Sequence, residues 1–259
     1  MKEKRHEKIY MYGRHALMEA LLSAPLVIKK VYLSPDNRDK ELRDIIAKNK
    51  IPTAELKQGQ GAEIVGRDAA HQGVVALMDP APLLKDFDTF VKSLDTSTKP
   101  ALAILGEVQD PHNVGAIIRS ATAFGLAGVL IPEHNQAGIT GAVVKASAGM
   151  VFKIPLVSIG NVNHAIRVLK DKGFWIYGLA KDGANELAKE KFDAPAVFVV
   201  GNEGAGIREK TLAACDITLS IPIHERTESL NAAVSAAVVF YAWSAHHPET
   251  LQRVQGKSL

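Results

Sequence analysis

Three polar loops in the second half of the chain hold the residues whose types could do chemistry. The first, in EVQDPHNVGAIIRSATAFG, carries an amide at Asn113 and, six positions on, a guanidinium at Arg119. The second, VFVVGNEGAGI, ends an apolar run on glycines and sets one carboxylate, Glu203, at its tip. The third, IPIHERTESLNAAVSAAVVFYAW, crosses a charged stretch and brings the Ser229 hydroxyl and the Asn231 amide to the entry of a long apolar helix. Each reads as strand, loop, helix. In α/β folds such loops gather at the carboxyl ends of the strands, where ligands bind. The glycines of the second loop expose backbone N–H and C=O groups, and Gly115 allows close backbone approach.

Each loop also has a plain structural reading. Asn113 can cap a helix that opens near it, with Arg119 as a surface arginine. Glu203 can be an N-terminal helix charge, and Ser229 can cap the Ala/Val helix. Only the three together suggest one site. The glycine loop is ordered G-x-x-G-x-G and lies late in the chain, so it is not the dinucleotide G-x-G-x-x-G, and no phosphate loop of the G-x-x-x-x-G-K-[ST] type exists. A nucleotide-dependent oxidoreductase is disfavoured on that ground. The nine histidines are scattered, so metal catalysis has little support.

The elements that must position these loops follow from composition and periodicity. With 259 residues, 47% hydrophobic and 23% charged, the chain is an ordinary globular protein of one or two domains. No uninterrupted apolar run reaches about 18 residues, so no membrane span is expected. The basic start, MKEKRHEKIY, lacks the apolar core of a signal peptide. The single cysteine, Cys215, excludes an internal disulfide and fits a reducing, cytoplasmic compartment. Without a histidine partner or a CxxC pattern it reads as a buried, inert thiol. Residues 1–78 hold 14 Lys/Arg against 10 Asp/Glu, whereas residues 79–259 hold 17 against 18. The positive excess in the first third is expected of a part that touches phosphates.

That first third reads as a small α/β domain, residues 1–78. YGRHALMEALLSAP is helical by its leucine spacing, VIKKVYLS is a strand by its β-branched and aromatic content, and NRDKELRDIIAKNK is amphipathic, with Leu42, Ile45 and Ile46 on one side. IPTAEL and HQGVVALM add strands. Residues 79–99, bounded by prolines, read as a linker with one short helix. From residue 100 to 259, short apolar runs (ALAILGEV, AGVLIP, FKIPLV, FWIYGLA, AVFVVG, DITLSIP) alternate with helices near 113–124, 139–147, 161–172, 206–213 and 229–245. This βαβ series predicts a parallel sheet with helices on both faces.

In order and arrangement, the Asn113-x-Gly115-x-x-x-Arg119 segment with Ala121, Phe124 and Gly125, then VVGNEGAGI, then IPI followed by SLN, resemble the three motifs of the SpoU-type RNA ribose methyltransferases of the SPOUT superfamily. The resemblance runs from Ala101 to about Trp243. The first third, with YGRHALMEALL and HQGVVALM, resembles the ribosomal-protein-like RNA-binding domain of bacterial large-subunit rRNA guanosine 2′-O-methyltransferases. Two departures stand out: Ala232-Ala233-Val234-Ser235 where many members have Val-Ser-Val-Ala, and His224-Glu225-Arg226 where a glycine often appears.

The resemblance implies a parallel sheet whose C-terminal part is tied in a trefoil knot, which nothing in the residue pattern would suggest. It implies S-adenosylmethionine as cofactor, its adenine read largely by backbone at Leu179, Ala180, Gly201, Ile221 and Leu230. It implies methyl transfer to a ribose 2′-hydroxyl, with Arg119 as the family's proposed base or as a group that steadies a phosphate or the developing alkoxide. Asn113 would orient Arg119 or the ribose, Glu203 would fix the loop, and Ser229 and Asn231 would complete the pocket. It further implies a homodimer with sites built from both subunits, packed partly through the Ala/Val helix. The expected substrate is a guanosine of 23S rRNA. The alternatives are a tRNA guanosine and a non-catalytic RNA-binding protein on the same scaffold, the latter disfavoured by the joint presence of Asn113, Arg119, Glu203 and Asn231.

Overall fold

The computed structural model describes residues 8–66 and 71–251. The basic stretch before residue 8 and the last eight residues assigned to the larger domain lie outside the described residues. The small N-terminal unit runs β1 (Ile9–Tyr12), α1 (Arg14–Ser23), β2 (Ile28–Leu33), α2 (Lys40–Lys48), β3 (Thr53–Glu55), α3 (Gln60–Val65) and β4 (Val74–Met78). Its sheet is ordered β1-β4-β2-β3. Only the β2–β3 pair is parallel. The strand β1 was not expected: four residues with three aromatic or β-branched side chains are too short a signal beside the strong helical pattern that follows.

The larger unit runs β5 (Leu84–Lys85), α4 (Phe87–Ser93), β6 (Ala101–Gly106), α5 (Pro111–Ala123), β7 (Gly128–Pro132), α6 (Gly141–Ala146), β8 (Leu156–Ile159), α7 (Val162–Asp171), β9 (Trp175–Leu179), β10 (Asn185–Glu186), β11 (Ala196–Gly201), α8 (Glu209–Leu212), β12 (Ile217–Ser220) and α9 (Ala232–His246). Its strands form one eight-stranded sheet, β10-β12-β9-β11-β6-β7-β8-β5. Every pairing in it is parallel. The central strands bury both faces, as their continuous apolar runs require: Ala101 to Leu105 are all 0% exposed. Alternate residues of one strand therefore enter different cores. Ala101, Ala103 and Leu105 pack with α5 and α9, and Leu102 and Ile104 pack with Phe90, Val91 and α7.

The segment 79–99, expected to be a linker, is built into this unit. It supplies the expected short helix, α4, but its Leu84 and Lys85 also pair with β8 as the outermost strand. The two units share one continuous apolar core, in which Met11, Leu17 and Leu21 join Val143, Val144, Val151 and Phe152. A Lys153–Glu19 ion pair at 2.7 Å flanks that junction.

The sheet order matters for function. Strands β9, β11 and β12 are neighbours in space although separated in sequence, so the loops that follow them emerge side by side. Among the described residues no helix is long and apolar enough to cross a membrane.

Candidate active site

Two of the three motif loops lie on one cavity together with the turn after β9. Of about 530 Å³, it is lined by Leu179 to Asp182 after β9, by Val200 to Ile207 after β11, and by Ile221, Ile223, Ser229 and Leu230 after β12. All five residues expected to read the cofactor, Leu179, Ala180, Gly201, Ile221 and Leu230, line it, as do Glu203 and Ser229. The turn 202–206 is tight. Asn202 and Gly206 exchange backbone hydrogen bonds at 2.9 and 3.0 Å. The Asn202 side-chain oxygen also accepts from the N–H groups of Gly204 and Ala205. Helix α8 begins only at Glu209, so Glu203 is not the helix-terminal charge that its position first suggests.

Asn113 and Asn231 join Glu203 at the edge of this cavity through a hydrogen-bonded chain. Asn231 Nδ2 donates to Asn113 Oδ1 at 3.0 Å, and Asn113 Nδ2 donates to Glu203 Oε1 at 3.0 Å. The Glu203 carboxylate also accepts from the backbone N–H groups of Asp110 and Gln109, at 3.2 and 3.4 Å. Asn113 of the first motif is thus bonded to one residue of each of the other two, 90 and 118 positions away. The amide orientations in this chain are fixed by their partners: the Glu203 carboxylate only accepts, so Asn113 must present its NH₂ to it.

Two caps differ from expectation. Helix α5 is capped by Asp110, whose carboxylate accepts from His112 N–H at 2.8 Å, with Pro111 at the first helical position where proline is favoured. Asn113 therefore lies inside the helix, 8% exposed, and its side chain is free to bind Glu203. Helix α9 is capped by Asn231 and not by Ser229: the Asn231 side-chain oxygen accepts from Ala233 and Val234. A cap of this kind is worth about 1 kcal/mol, so Asn231 both starts α9 and anchors Asn113. Gly115 permits close approach, but to α6: a Cβ there would lie 2.5 Å from that of Ala146.

Arg119 stands apart. It is exposed on α5 and lines none of this cavity. Asn113 and Asn231 face a second, shallower depression of about 640 Å³, formed with Ala116, Ser120, Val234, Ala237, Val238 and Tyr241 of α5 and α9. Within one chain the predicted site residues therefore form one connected group without Arg119.

Some contributors were not legible in the sequence. Glu107 binds Arg208 at 2.7 Å, and its carbonyl accepts from Asn202 Nδ2 at 3.0 Å. Gln136 pairs with both backbone groups of Val108, at 2.9 and 2.7 Å. These bonds hold the backbone immediately before Gln109 and Asp110, the two N–H donors to Glu203. Among the described residues no cluster of ligating side chains could hold a metal ion. Burial pushes the Cys215 thiol up to about 11, which keeps it protonated and unreactive at neutral pH.

Burial alone would raise the Glu203 carboxyl. The hydrogen bonds from Asn113, from its own backbone N–H and from those of Asp110 and Gln109 outweigh it and hold the group below the ordinary glutamate value. The folded value lies under the unfolded one. The stabilisation is therefore complete above the ordinary glutamate range, about pH 4.3, and is lost as pH falls through the depressed folded value. The NMR shift of the Asn113 side-chain amide is expected to stay flat on acidification to about pH 5 and to move only well below it. In Glu203→Gln that titration should be gone. An Asn113 signal that titrates near neutrality would contradict this.

With this geometry in view, comparison with known proteins is decisive. The sequence pattern of the SpoU rRNA Methylase family matches residues 100–241. The chain belongs to that family. A second pattern, RNA 2′-O ribose methyltransferase substrate binding, matches residues 10–84. A 23S rRNA (guanosine-2′-O-)-methyltransferase RlmB of Nitrosomonas europaea is 33% identical over 93% of this chain and 92% of its own length. An uncharacterized tRNA/rRNA methyltransferase of Synechocystis is 34% identical over 89% of this chain, which spans only 61% of that relative. In fold, the chain is similar to the SpoU methyltransferase AviRb from Streptomyces viridochromogenes in complex with AdoMet, with a TM-score of 0.79 and 22% identity over 99% of this chain and 94% of that one.

Proposed function

We propose that this protein transfers a methyl group from S-adenosylmethionine to the ribose 2′-hydroxyl of a guanosine in 23S rRNA. The observation that carries the reading is the Asn231–Asn113–Glu203 chain, which ties the three family motifs at the mouth of one cavity. The cavity suits the methyl donor. One wall is the glycine turn, packed so closely that a Cβ on Gly201 would meet the backbone of Gly206 and Ile207 at 2.4 and 2.5 Å. Among the described residues, two backbone groups from Ile221 to Leu230 donate hydrogen bonds, Thr227 N–H to His224 C=O and Arg226 N–H to His224 Nδ1, leaving other groups of that loop to read an adenine. Leu179, Ala180, Gly201, Ile221 and Leu230 would hold the donor. Bound there, it supplies a methyl carbon on a sulfonium, already a good leaving group.

The obstacle is then the nucleophile, a hydroxyl protonated at neutral pH. The chain must align that oxygen and stabilise charge as its proton leaves. A guanidinium is a permanent cation, so Arg119 acts as a fixed positive charge beside the ribose oxygen or its phosphate. Glu203, held ionised, fixes Asn113, and Asn113 with Ser229 and Asn231 borders the ribose.

Arg119 reaches a site of this kind when two chains pair. Helix α9 is apolar on all sides. Ala236, Val239, Phe240 and Trp243 are fully buried, while Val234, Val238 and Tyr241 are 49%, 37% and 61% exposed. These three lie on one helical face beside Ala116 and Ser120 of α5, with Asn113 and Asn231 at the rim. A second copy on this face completes a homodimer and delivers its Arg119 to the neighbouring cavity. Val238→Glu with Tyr241→Glu is expected to give a monomer in light scattering at micromolar concentration and to abolish methylation. A wild-type monomer under those conditions would contradict the arrangement.

The rest of the reading divides the chain into residues 1–78 and a larger part from residue 79 onward, which takes in β5 and α4 as its edge strand and a packed helix. The first part is a ribosomal-protein-like RNA-binding domain. The last part is trefoil-knotted, supported by the return of α9 from β12 to pack on α5 and β11. The protein works in the cytoplasm, without a metal. Mapping 2′-O-methyl marks in RNA from cells with and without it is expected to show one guanosine of 23S rRNA losing its mark. Loss from a tRNA would reassign the substrate, and no loss anywhere would reject the activity.

A further inference from the structure

The small sheet has two unlike faces. One, with Met11, Val31, Leu33, Val74 and Ala76, is sealed in the shared core. On the other, the register places Tyr10 and Lys30 on either side of Leu77, and Tyr12 and Tyr32 on either side of Val75. The three tyrosines, Lys30 and Leu77 are all partly exposed. The Tyr10 and Tyr32 rings stand 6.5 Å apart, centroid to centroid. The Lys30 ammonium lies 5.3 Å from the Tyr32 ring centre. At the other edge, the ammonium of Lys145, an exposed residue of α6, lies 5.1 Å from the ring centre of Tyr12.

Cross-strand aromatic pairs stabilise sheets on their own account, but that does not explain the cations. Neither Lys30 nor Lys145 forms an ion pair among the described residues. Partly exposed rings, with ammonium groups beside them that form no ion pair among the described residues, match a single-stranded nucleic acid, whose bases stack on aromatic side chains while its phosphates are neutralised by lysines. A duplex hides its base faces and cannot use the rings. The row also has a direction. It starts on β2, crosses β4 and β1, and ends at Lys145 on α6, which packs against α5, the helix that carries Asn113 and Arg119.

We propose that Tyr10, Tyr12 and Tyr32, with Lys30 and Lys145, form a stacking platform for an unpaired stretch of the RNA substrate and lead it from the small domain toward the site on α5. The proposal rests on the reading of the chain as an RNA methyltransferase and names the part of the RNA that the small domain grips.

The test uses the full chain and fluorescence anisotropy with a labelled single-stranded RNA of about 12 nucleotides and a hairpin that pairs the same sequence. Tyr10→Leu/Tyr32→Leu is expected to weaken single-strand binding about tenfold or more, while Tyr10→Phe/Tyr32→Phe stays within about twofold of wild type because the rings remain. Lys30→Ala/Lys145→Ala should lower affinity and reduce the slope of log Kd against log salt by about two phosphate contacts. In methylation assays the leucine pair should raise KM for RNA and leave kcat unchanged. S-adenosylmethionine affinity of each variant reports intact folding. A folded leucine pair that binds the single strand like wild type overturns the platform. Should the leucine pair misfold, an unchanged lysine pair overturns it equally. In either case a wild type that still methylates its RNA leaves the activity standing. A wild type that binds the methyl donor but no RNA rejects both.

Discussion

Arg119→Ala is expected to lower methylation about 10²- to 10³-fold and to leave the affinity for S-adenosylmethionine unchanged. The side chain is exposed on α5 and lies outside the cavity walls. Its removal therefore takes nothing from the core or from the donor pocket. On the proposed reading it removes the cation that a paired chain brings to the oxygen that gains negative charge. Arg119→Lys should recover part of the rate, because the charge stays while the planar fork that can hold a phosphate or alkoxide at two points is lost. The readouts are single-turnover transfer to RNA and calorimetry with the methyl donor. An Arg119→Ala protein that methylates at close to the wild-type rate would remove Arg119 from the site.

Gly201→Ala is expected to cut the affinity for the methyl donor about a hundredfold. The added Cβ would stand 2.4 Å from the Gly206 carbonyl carbon, 2.5 Å from the Ile207 nitrogen and 2.7 Å from the Gly206 oxygen. All three are backbone atoms, so no rotamer change relieves the clash. The turn 202–206 has to move, and with it the cavity wall and the position of Glu203. The overpacking also costs about 1–3 kcal/mol of stability. Gly204→Ala is the matched control, since the nearest atom to its Cβ is Asn202 Oδ1 at 3.7 Å. It should bind the donor as wild type does. Equal donor affinity in Gly201→Ala and Gly204→Ala would mean that the turn does not shape the pocket.

Much of the fold was legible because parallel strands buried on both faces read as unbroken apolar runs. Ala101–Gly106 and Ala196–Gly201 stood out in this way and form the centre of the sheet. Elements of two residues carry no periodicity, so β5 and β10 were invisible, and residues 79–99 read as a linker with one short helix, without the edge strand that β5 adds. Helix starts were misplaced by a few residues where two polar side chains compete for the cap. Asp110 precedes Pro111 and wins over Asn113, and Asn231 wins over Ser229. Those shifts changed the chemistry inferred, because an Asn113 inside α5 is available to bind Glu203.

The cavity-lining residues were legible through their motifs, but the bonds that join the motifs were not. Asn231 and Asn113 are 118 positions apart, and Glu203 is 90 from Asn113. Nothing local announces such a pair. The Glu107–Arg208 and Gln136–Val108 contacts were missed for the same reason. The apolar character of α9 was visible. Which face it leaves outward, Val234, Val238 and Tyr241, depended on how the helix packs on α5 and β11.

The central claim is that the loops after β9, β11 and β12 clasp the methyl donor. Difference density from a crystal of this protein grown with S-adenosylhomocysteine tests it most directly. The account requires the adenine among Leu179, Ala180, Gly201, Ile221 and Leu230, with the sulfur end toward Glu203 and Ser229. Density anywhere else on the molecule, or a saturated crystal with those loops unoccupied, would contradict it.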